Sequence, residues 1–550
     1  MMKPLVRTIC VHWFRSCAFV GAWAMAPSAH ADFDPDKISV ESAPVAARFA
    51  DPDVNYTTPA FREGRRDFTS HSELLGYLQE LQARTRGFAI RIVGQSQNKR
   101  ALPLLIFTKP VTETAASALA TGKPTVLIVA QQHGNEPAGS EASLVIAARL
   151  AGGDLRPLLD RINVLVIPRA NPDGGEAFVR DTASHVDMNR DHLLLRTPEA
   201  RALALVAREY QPAVIVDVHE FTVMDRWVAK FGGVMSYDAL IQYATVGNLS
   251  PQLVETAENT YRKAIFEALG AAGLSAHWYF TTEAGSNDRT VSMGGVQPDT
   301  WRNIGGLRNA VSFLLETRGV GIGRAHYKRR VRTHEITMET LLRTTAANAM
   351  EVAALTNASA RQVSLSACAG SYVVESDATR TTRSLAFYDP TSATEKNVEV
   401  PWRSALDMRT LRTRPRACGY ILDASQEDAA GRLRALGVVV ERFTQPAKAQ
   451  VEGFRIMKQE RAARADGRGA IDDGEGIVRL SVQTEATTAD IPAGAFYVSL
   501  GQPLANLVAA ALEPDSQNSF AANRLLPIQG ETLPLLRVMA PPATALVVWD

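Results

Sequence analysis

Val126 to Ala130 form an uninterrupted apolar run, Gln131 to Gly139 (QQHGNEPAG) turn polar and glycine-rich, and Ala138 to Leu150 are alanine-rich and amphipathic. An apolar run of strand length that passes through a polar turn into a helical period is a strand–loop–helix unit, which commits the chain to an α/β architecture. It puts His133 and Glu136 on a loop at the C-terminal end of a strand, where open α/β sheets keep their ligand sites. A histidine and a carboxylate on one tight loop can chelate a metal ion, and Gly134 between them lets the loop turn sharply. A third ligand must then come from elsewhere.

Three further apolar runs end in polar groups. Ile162 to Ile167 lead into Pro168-Arg169-Ala170-Asn171-Pro172-Asp173-Gly174, Val214 to Val218 into His219-Glu220, and Val311 to Leu315 into Glu316-Thr317-Arg318-Gly319. Helical patterns at Ala138 to Leu150 and Glu199 to Tyr210 separate them, as an α/β alternation requires. If the four strands are parallel, their polar ends converge on one rim. Upstream, Leu74, Leu75, Leu78 and Leu81 share a helical face within 72–85, and Ala89 to Val93 and Leu102 to Phe107 flank a polar turn as a hairpin.

A chain of 550 residues exceeds one compact core. Beyond about 345 a helix over Met338 to Leu355 gives way to polar residues 357–363 and short strands at Ser371 to Val374 and Ser384 to Tyr388. Ala429 to Val440 read as helix, glycine stop at Gly437 and strand. The expected organisation is a signal peptide over 1–31, a lead-in over 32–70, a catalytic domain over 71–350 and a smaller α+β C-terminal domain over 360–550, with 458–475 an exposed connection. The signal peptide rests on Lys3, Arg7 and Arg15, an apolar run from Cys17 to Ala26 too short to span a bilayer, and Ala29-His30-Ala31. It implies export, to the periplasm in a Gram-negative source, with no stable membrane span after cleavage. Cys368 and Cys418 would then remain in an oxidising compartment, as one disulfide or as two buried thiols. A net charge of +1 gives no overall basic field for nucleic acid.

Catalytic zinc commonly keeps three protein ligands and one open position. His219, fixed by a strand end, is the best third ligand after His133 and Glu136. Any His meets a Glu three residues on by chance at a rate of roughly 5%, so the pattern needs that strand-end partner. In Asp187-Met188-Asn189-Arg190, a guanidinium and an amide suit a terminal carboxylate, and Asp187 suits the second ring N–H of a zinc-bound histidine. Glu316 can take a proton from water and return it to a leaving amine. Asn189-Arg190 as a surface pair and Glu316 as a salt-bridge partner are the structural alternatives. There is no HExxH and no G-x-S-x-G elbow.

Taken together in order, His133, Glu136, Asn189-Arg190, His219 and Glu316 resemble the zinc carboxypeptidase family of the carboxypeptidase A type, over roughly residues 65–345. The resemblance implies a central mixed eight-stranded sheet flanked by helices and one zinc ion on His133, Glu136 and His219. It makes Glu316 the general base and acid, and Asn189 and Arg190 the carboxylate site. Asp187 would orient His133, and Arg180 matches the oxyanion-stabilising arginine. Substrates would be peptides, or N-acyl amino acids, with a free carboxylate; a deacylase or wall-peptide amidase and a non-catalytic peptide- or glycan-binding protein are the alternatives. The Glu136–His219 interval is short, like that of bacterial members. The family's substrate-capping tyrosine has no clear match in the sequence; Tyr279 and Tyr237 are the poorly matched candidates. Residues 281–303, the expected specificity pocket, contain Glu283, Asp288, Arg289 and Asp299.

Overall fold

The computed structural model describes residues 33–549 except 463–464, 467–468 and 471–476. The expected signal peptide at 1–31 and part of the expected connection at 458–475 therefore lie outside the described residues.

The helices that shape the molecule are α1 (His71–Thr85), α2 (Pro137–Gly152), α3 (Pro172–Ala177), α4 (Pro198–Tyr210), α5 (Trp301–Leu307), α6 (Tyr327–Ala347), α7 (Ala349–Leu365), α8 (Glu427–Ala435) and α9 (Ala505–Leu512). α1 begins in a capping box: Glu73 N–H donates to Ser70 Oγ at 3.2 Å, and Ser70 N–H donates to Glu73 Oε2 at 2.8 Å.

The first sheet has eight strands: β1 (Ala89–Gln95), β2 (Ala101–Phe107), β3 (Thr125–Ala130), β4 (Asn163–Ile167), β5 (Val214–Thr222), β6 (Ala239–Tyr243), β7 (Ala276–Trp278) and β8 (Val311–Val320). Their spatial order is β1-β2-β4-β3-β5-β8-β6-β7. β4, β3, β5 and β8 are mutually parallel neighbours, so their C-terminal ends share one edge; β1, β2 and the β8–β6 pairing are antiparallel. This is the mixed, helix-flanked sheet that the family resemblance implies. Strand alternation divides its core: Val126, Ile128, Val214, Val216, Val218, Phe313 and Leu315 pack with α2 and α6, while Leu127, Val129 and Ile215 pack with α4 and α5.

The second sheet is built on a long ribbon, β9 (Ser371–Tyr388) against β10 (Glu395–Pro415). β9 pairs with Val234–Met235, and β10 pairs with Val291–Ser292, which in turn pairs with Thr281–Thr282. The ribbon thus shares one sheet with three segments that precede α5. β9 runs unbroken where two short strands were expected, because its middle residues are polar on both faces and carry no alternating apolar signal.

The third sheet contains β11 (Gly419–Leu422), β12 (Glu441–Phe443), β13 (Ala447–Ala462), β14 (Ile477–Ile491), β15 (Phe496–Ser499), β16 (Thr532–Val538) and β17 (Leu546–Val548), in the order β14-β13-β16-β11-β15-β12-β17. Residues 458–462, expected in a connection, complete β13. α8 and α9 of this part bury Leu433, Leu507 and Leu512 in the same apolar core as Leu203 of α4 and Ile304 of α5. The helix expected over Met338 to Leu355 is two helices. Asn348 leaves helical geometry, and its Nδ2 donates to Thr344 O at 2.8 Å, capping the end of α6; residues 357–363 lie inside α7. Cys368, just beyond α7, is disulfide-bonded to Cys418. Among the described residues no helix is long and apolar enough to cross a membrane.

Candidate metal centre and active site

The parallel strand ends bring three donors together. His133 and Glu136 sit between β3 and α2 and His219 near the end of β5; one ligand atom from each lies within 4.8 Å of the others, and all three residues are buried. His133 Nδ1 is 2.9 Å from Glu136 Oε1, His219 Nδ1 is 2.8 Å from Glu136 Oε2, and the two Nδ1 atoms are 3.0 Å apart.

Carboxylates hold the far sides of both rings. His133 Nε2–H donates to Asp187 Oδ1 at 3.1 Å, and His219 Nε2–H donates to Asp217 Oδ1 at 2.6 Å. A ring whose Nε2 carries the proton presents a lone pair at Nδ1, so both imidazoles turn lone pairs toward the same point as a Glu136 oxygen. Two facing lone pairs and a carboxylate repel one another unless a cation lies among them.

The charges agree with that reading. Burial works against ionisation of Glu136, but His133 and His219 hold its carboxyl well below the usual range. Burial is likewise outweighed at Asp187 by Arg180 and His133, and at Asp217 by His219. Burial would keep His219 neutral, yet Asp217 and Glu136 push it up to about 10. A pocket that would protonate a buried imidazole so strongly also favours a dication. The donor set and its charge therefore fit zinc.

Gly134 has a different role from the one its sequence position suggests. A Cβ there would lie 1.8 Å from the carbonyl carbon of Gly174 in α3, so close backbone approach excludes a side chain. Gly134 N–H donates to Arg180 O at 3.3 Å, and Gln131 Nε2 donates to Gly134 O at 2.8 Å. The ligand loop is pinned from both sides.

A cavity of about 290 Å³ reaches Glu136 of the three donors. Glu136, Arg180, Asp187 and Glu316 line it, with Asn135 and Glu220, and an aromatic wall of Phe221, Trp227, Tyr279 and Phe280. Arg180 NH2 donates to Asp187 Oδ2 at 2.6 Å, and its NH1 lies 3.1 Å from His133 Nδ1. Glu316, on β8, is the register partner of His219 on β5. Tyr279 lines the cavity; Tyr237 packs on His277 with ring centroids 4.8 Å apart.

Asn189 and Arg190 stand outside that lining. Asn189 Nδ2 donates to Asp217 Oδ2 at 3.0 Å and its Oδ1 accepts from Trp301 N–H at 2.8 Å, while Arg190 NH1 donates to Asn189 O at 2.6 Å. Glu283, Asp288, Arg289 and Asp299 do not line it either. Asp299 is buried and accepts from Asn518 Nδ2 at 3.0 Å.

Two contributors escaped the sequence reading. Asp217 precedes His219 by two residues on one strand, a spacing that puts both on the same face and was available as a signal. Glu220 points the other way: Arg330 NH2 reaches Oε1 at 2.9 Å and Oε2 at 2.8 Å, and Glu220 N–H donates to Glu136 Oε2 at 3.1 Å. No local pattern announces the Glu220–Arg330 pairing, which crosses 110 residues.

Residues 74–315 match the sequence model of the zinc carboxypeptidase family, so this part of the chain is similar to that family's metallocarboxypeptidase domain, a hydrolase domain whose family cofactor is zinc and whose family substrates are peptides. Carboxypeptidase 2 of Trichophyton rubrum is 26% identical over 523 residues, covering 92% of this chain and 95% of the fungal one. Carboxypeptidase 2 of Trichophyton equinum is 29% identical over 412 residues, 74% of this chain and 75% of its own. Among solved structures, a metallo-carboxypeptidase from Burkholderia cenocepacia superposes with a TM-score of 0.38 at 17% identity, covering 50% of this chain and 69% of that one.

Proposed function

We propose that the chain is an exported zinc carboxypeptidase that releases C-terminal residues from peptides, with His133, Glu136 and His219 as the metal ligands and Glu316 as the general base. The convergence of the three donors on one point, beside a cavity that Glu316 also lines, carries this reading. Zinc bound there would supply a Lewis acid that polarises the scissile carbonyl and acidifies water.

The protein's own groups would do the rest. Glu316 accepts the proton of the attacking water at its carboxylate and delivers it to the leaving amine. Arg180, held at the cavity wall by Asp187, faces the oxygen that gains charge. Asp187 and Asp217 fix the tautomers of His133 and His219. The terminal carboxylate is assigned to Arg190 with Asn189, on the chemistry of a guanidinium beside an amide; this role requires the pair to open onto a cavity it does not line and Asn189 Nδ2 to exchange Asp217 for the substrate. Export to a periplasm rests on the N-terminal pattern of residues 1–31.

For the domain organisation we propose a lead-in over 33–70 and a catalytic unit from 71 that includes the β9–β10 ribbon, which shares a sheet with three of its segments. The third sheet forms the remainder.

The test is metal analysis coupled to cleavage of one peptide series bearing free or amidated C-termini, with and without chelator. Stoichiometric zinc, chelator-sensitive release of the last residue and resistance of the amidated peptides are expected. Equal cleavage of both series would remove the carboxylate site, and hydrolysis of N-acyl amino acids alone would replace the peptidase with a deacylase.

A further inference from the structure

Asp217, which accepts from His219, is the inner end of a chain of buried polar side chains: Gln132 Nε2 donates to Asp217 Oδ1, and His192 Nε2 lies 2.6 Å from Gln132 Oε1. Neither Gln132 nor His192 lines the cavity. The pair stands behind the metal centre, on the side away from substrate.

The direction of every bond in the chain follows from Asp217. Burial opposes its charge, but His219 keeps its carboxylate ionised, and an ionised carboxylate only accepts. The Gln132 amide therefore turns its nitrogen toward Asp217 and its oxygen toward His192. The imidazole that faces this oxygen carries its proton at Nε2. Burial pushes the His192 pKa down to about 3, so the ring is neutral and its single N–H is committed to Gln132. The amide has a second orientation of the same shape, in which its oxygen would confront a carboxylate oxygen and its NH2 would confront the His192 N–H. His192 disfavours that flip by fixing which end of the amide it meets.

His192 is itself held. Its ring packs on Trp301 with centroids 4.8 Å apart, and its backbone N–H donates to Asp299 O at 3.3 Å. Trp301 N–H donates to Asn189 Oδ1, and Asn189 Nδ2 donates to Asp217 Oδ2, so the circuit closes on the other oxygen of the same carboxylate. An Asp217 deprived of the Gln132 donor in this dry surrounding would turn to seek another, loosening its hold on the His219 ring.

We propose that His192 is a positioning residue for the metal centre: by holding the Gln132 amide in the orientation that donates to Asp217, it sets how firmly Asp217 orients His219, and so how tightly the three donors bind an ion. The proposal rests on the assignment of His219 as a metal ligand above.

The test is zinc affinity of the full-length protein, measured by competition with a chelator, for wild type, His192→Gln, His192→Asn, His192→Leu, Gln132→Leu and the double variant His192→Leu with Gln132→Leu. Glutamine carries an N–H near the place of Nε2 and should keep affinity within about twofold of wild type, whereas asparagine, whose amide falls short at the place of Nδ1, and leucine should each lose about tenfold. The double variant should bind zinc no more weakly than Gln132→Leu, because His192 acts through that amide. Equal losses in His192→Gln and His192→Leu, additive losses in the double variant, or undiminished affinity in His192→Asn would each overturn the relay. The contrast between glutamine and asparagine decides the matter even where leucine unfolds the chain. Failure of the wild type to bind zinc would instead overturn the proposed function itself, before any variant is compared.

Discussion

Glu316 and His219 stand directly opposite one another on neighbouring parallel strands, β8 and β5. Register partners share a face of the sheet, and adjacent strands lie about 4.8 Å apart, so the expected base and an expected ligand are neighbours by pairing alone. Glu316→Gln keeps that register and volume while removing the basic oxygen. Zinc content is expected to equal that of wild type and kcat to fall at least about a hundredfold. An active, zinc-replete variant would exclude Glu316 as the base.

Asp217 accepts from His219, Gln132 and Asn189. Asp217→Asn leaves the volume but weakens the hold on His219 Nε2–H. Competition with a chelator of known affinity is expected to show zinc binding weakened by about 10- to 100-fold, with the fold intact by circular dichroism.

The ribbon is expected to be indispensable to the catalytic part. Phe387 of β9 is fully buried and stacks on Phe231 at 5.6 Å, and it also meets Trp227, which lines the cavity, at 5.8 Å. Phe387→Ala should cost about 3–5 kcal/mol in denaturant unfolding. A chain ending at residue 350 lacks β9 and β10 and should fail to give a cooperative transition; a stable, active fragment would refute the shared sheet.

Stability on the acid side should depend on Glu73. Burial raises its pKa, but hydrogen bonds from Arg65 and the Ser70 backbone dominate and lower it from 4.5 to about 2. A carboxyl with a depressed folded pKa contributes stability above its ordinary value and loses that contribution as pH falls through the folded one. Glu73→Gln should therefore flatten the dependence of Tm on pH between about 4.5 and 2. An unchanged slope would mean that the pair contributes nothing.

Cys368 and Cys418 are 50 residues apart in sequence and bridged. Thiol titration of the mature chain, denatured without reductant, should find neither reactive. The double Cys→Ser variant should lose about 3–4 kcal/mol on the loop-entropy argument. Two titratable thiols would remove the bridge.

The first sheet was legible because its central strands are buried on both faces and read as apolar runs, interrupted in β5 by Asp217, that stop at polar residues. His133, Glu136, His219 and Glu316 were visible for the same reason: each follows such a stop. The cavity's aromatic wall was not. Trp227 and Phe280 come from a short helix and a loop with no period of their own, and they are placed by Phe387 and Trp402, more than 100 residues downstream. Asn348, polar but unremarkable in the sequence, divides a helix by bonding to its own backbone. The C-terminal part was read as separate because composition changes near 360, yet α4 and α5 bury their outer faces against α8 and α9. Composition records solvent exposure along the chain and carries no information about which surfaces meet.

The contact between Gly134 and Gly174 joins two loops that have separate tasks. One carries His133 and Glu136; the other, through Asn171 and the turn that follows α3, carries Arg180. With no room for a methyl group at the seam, neither loop can be lengthened, re-spaced or given a bulkier residue there without displacing its neighbour. Under the assignments proposed for His133, Glu136 and Arg180, metal affinity and oxyanion contact would be inherited as one trait: a lineage or a designer that retunes the ion site also moves the guanidinium, and must find compensating changes on both loops at once.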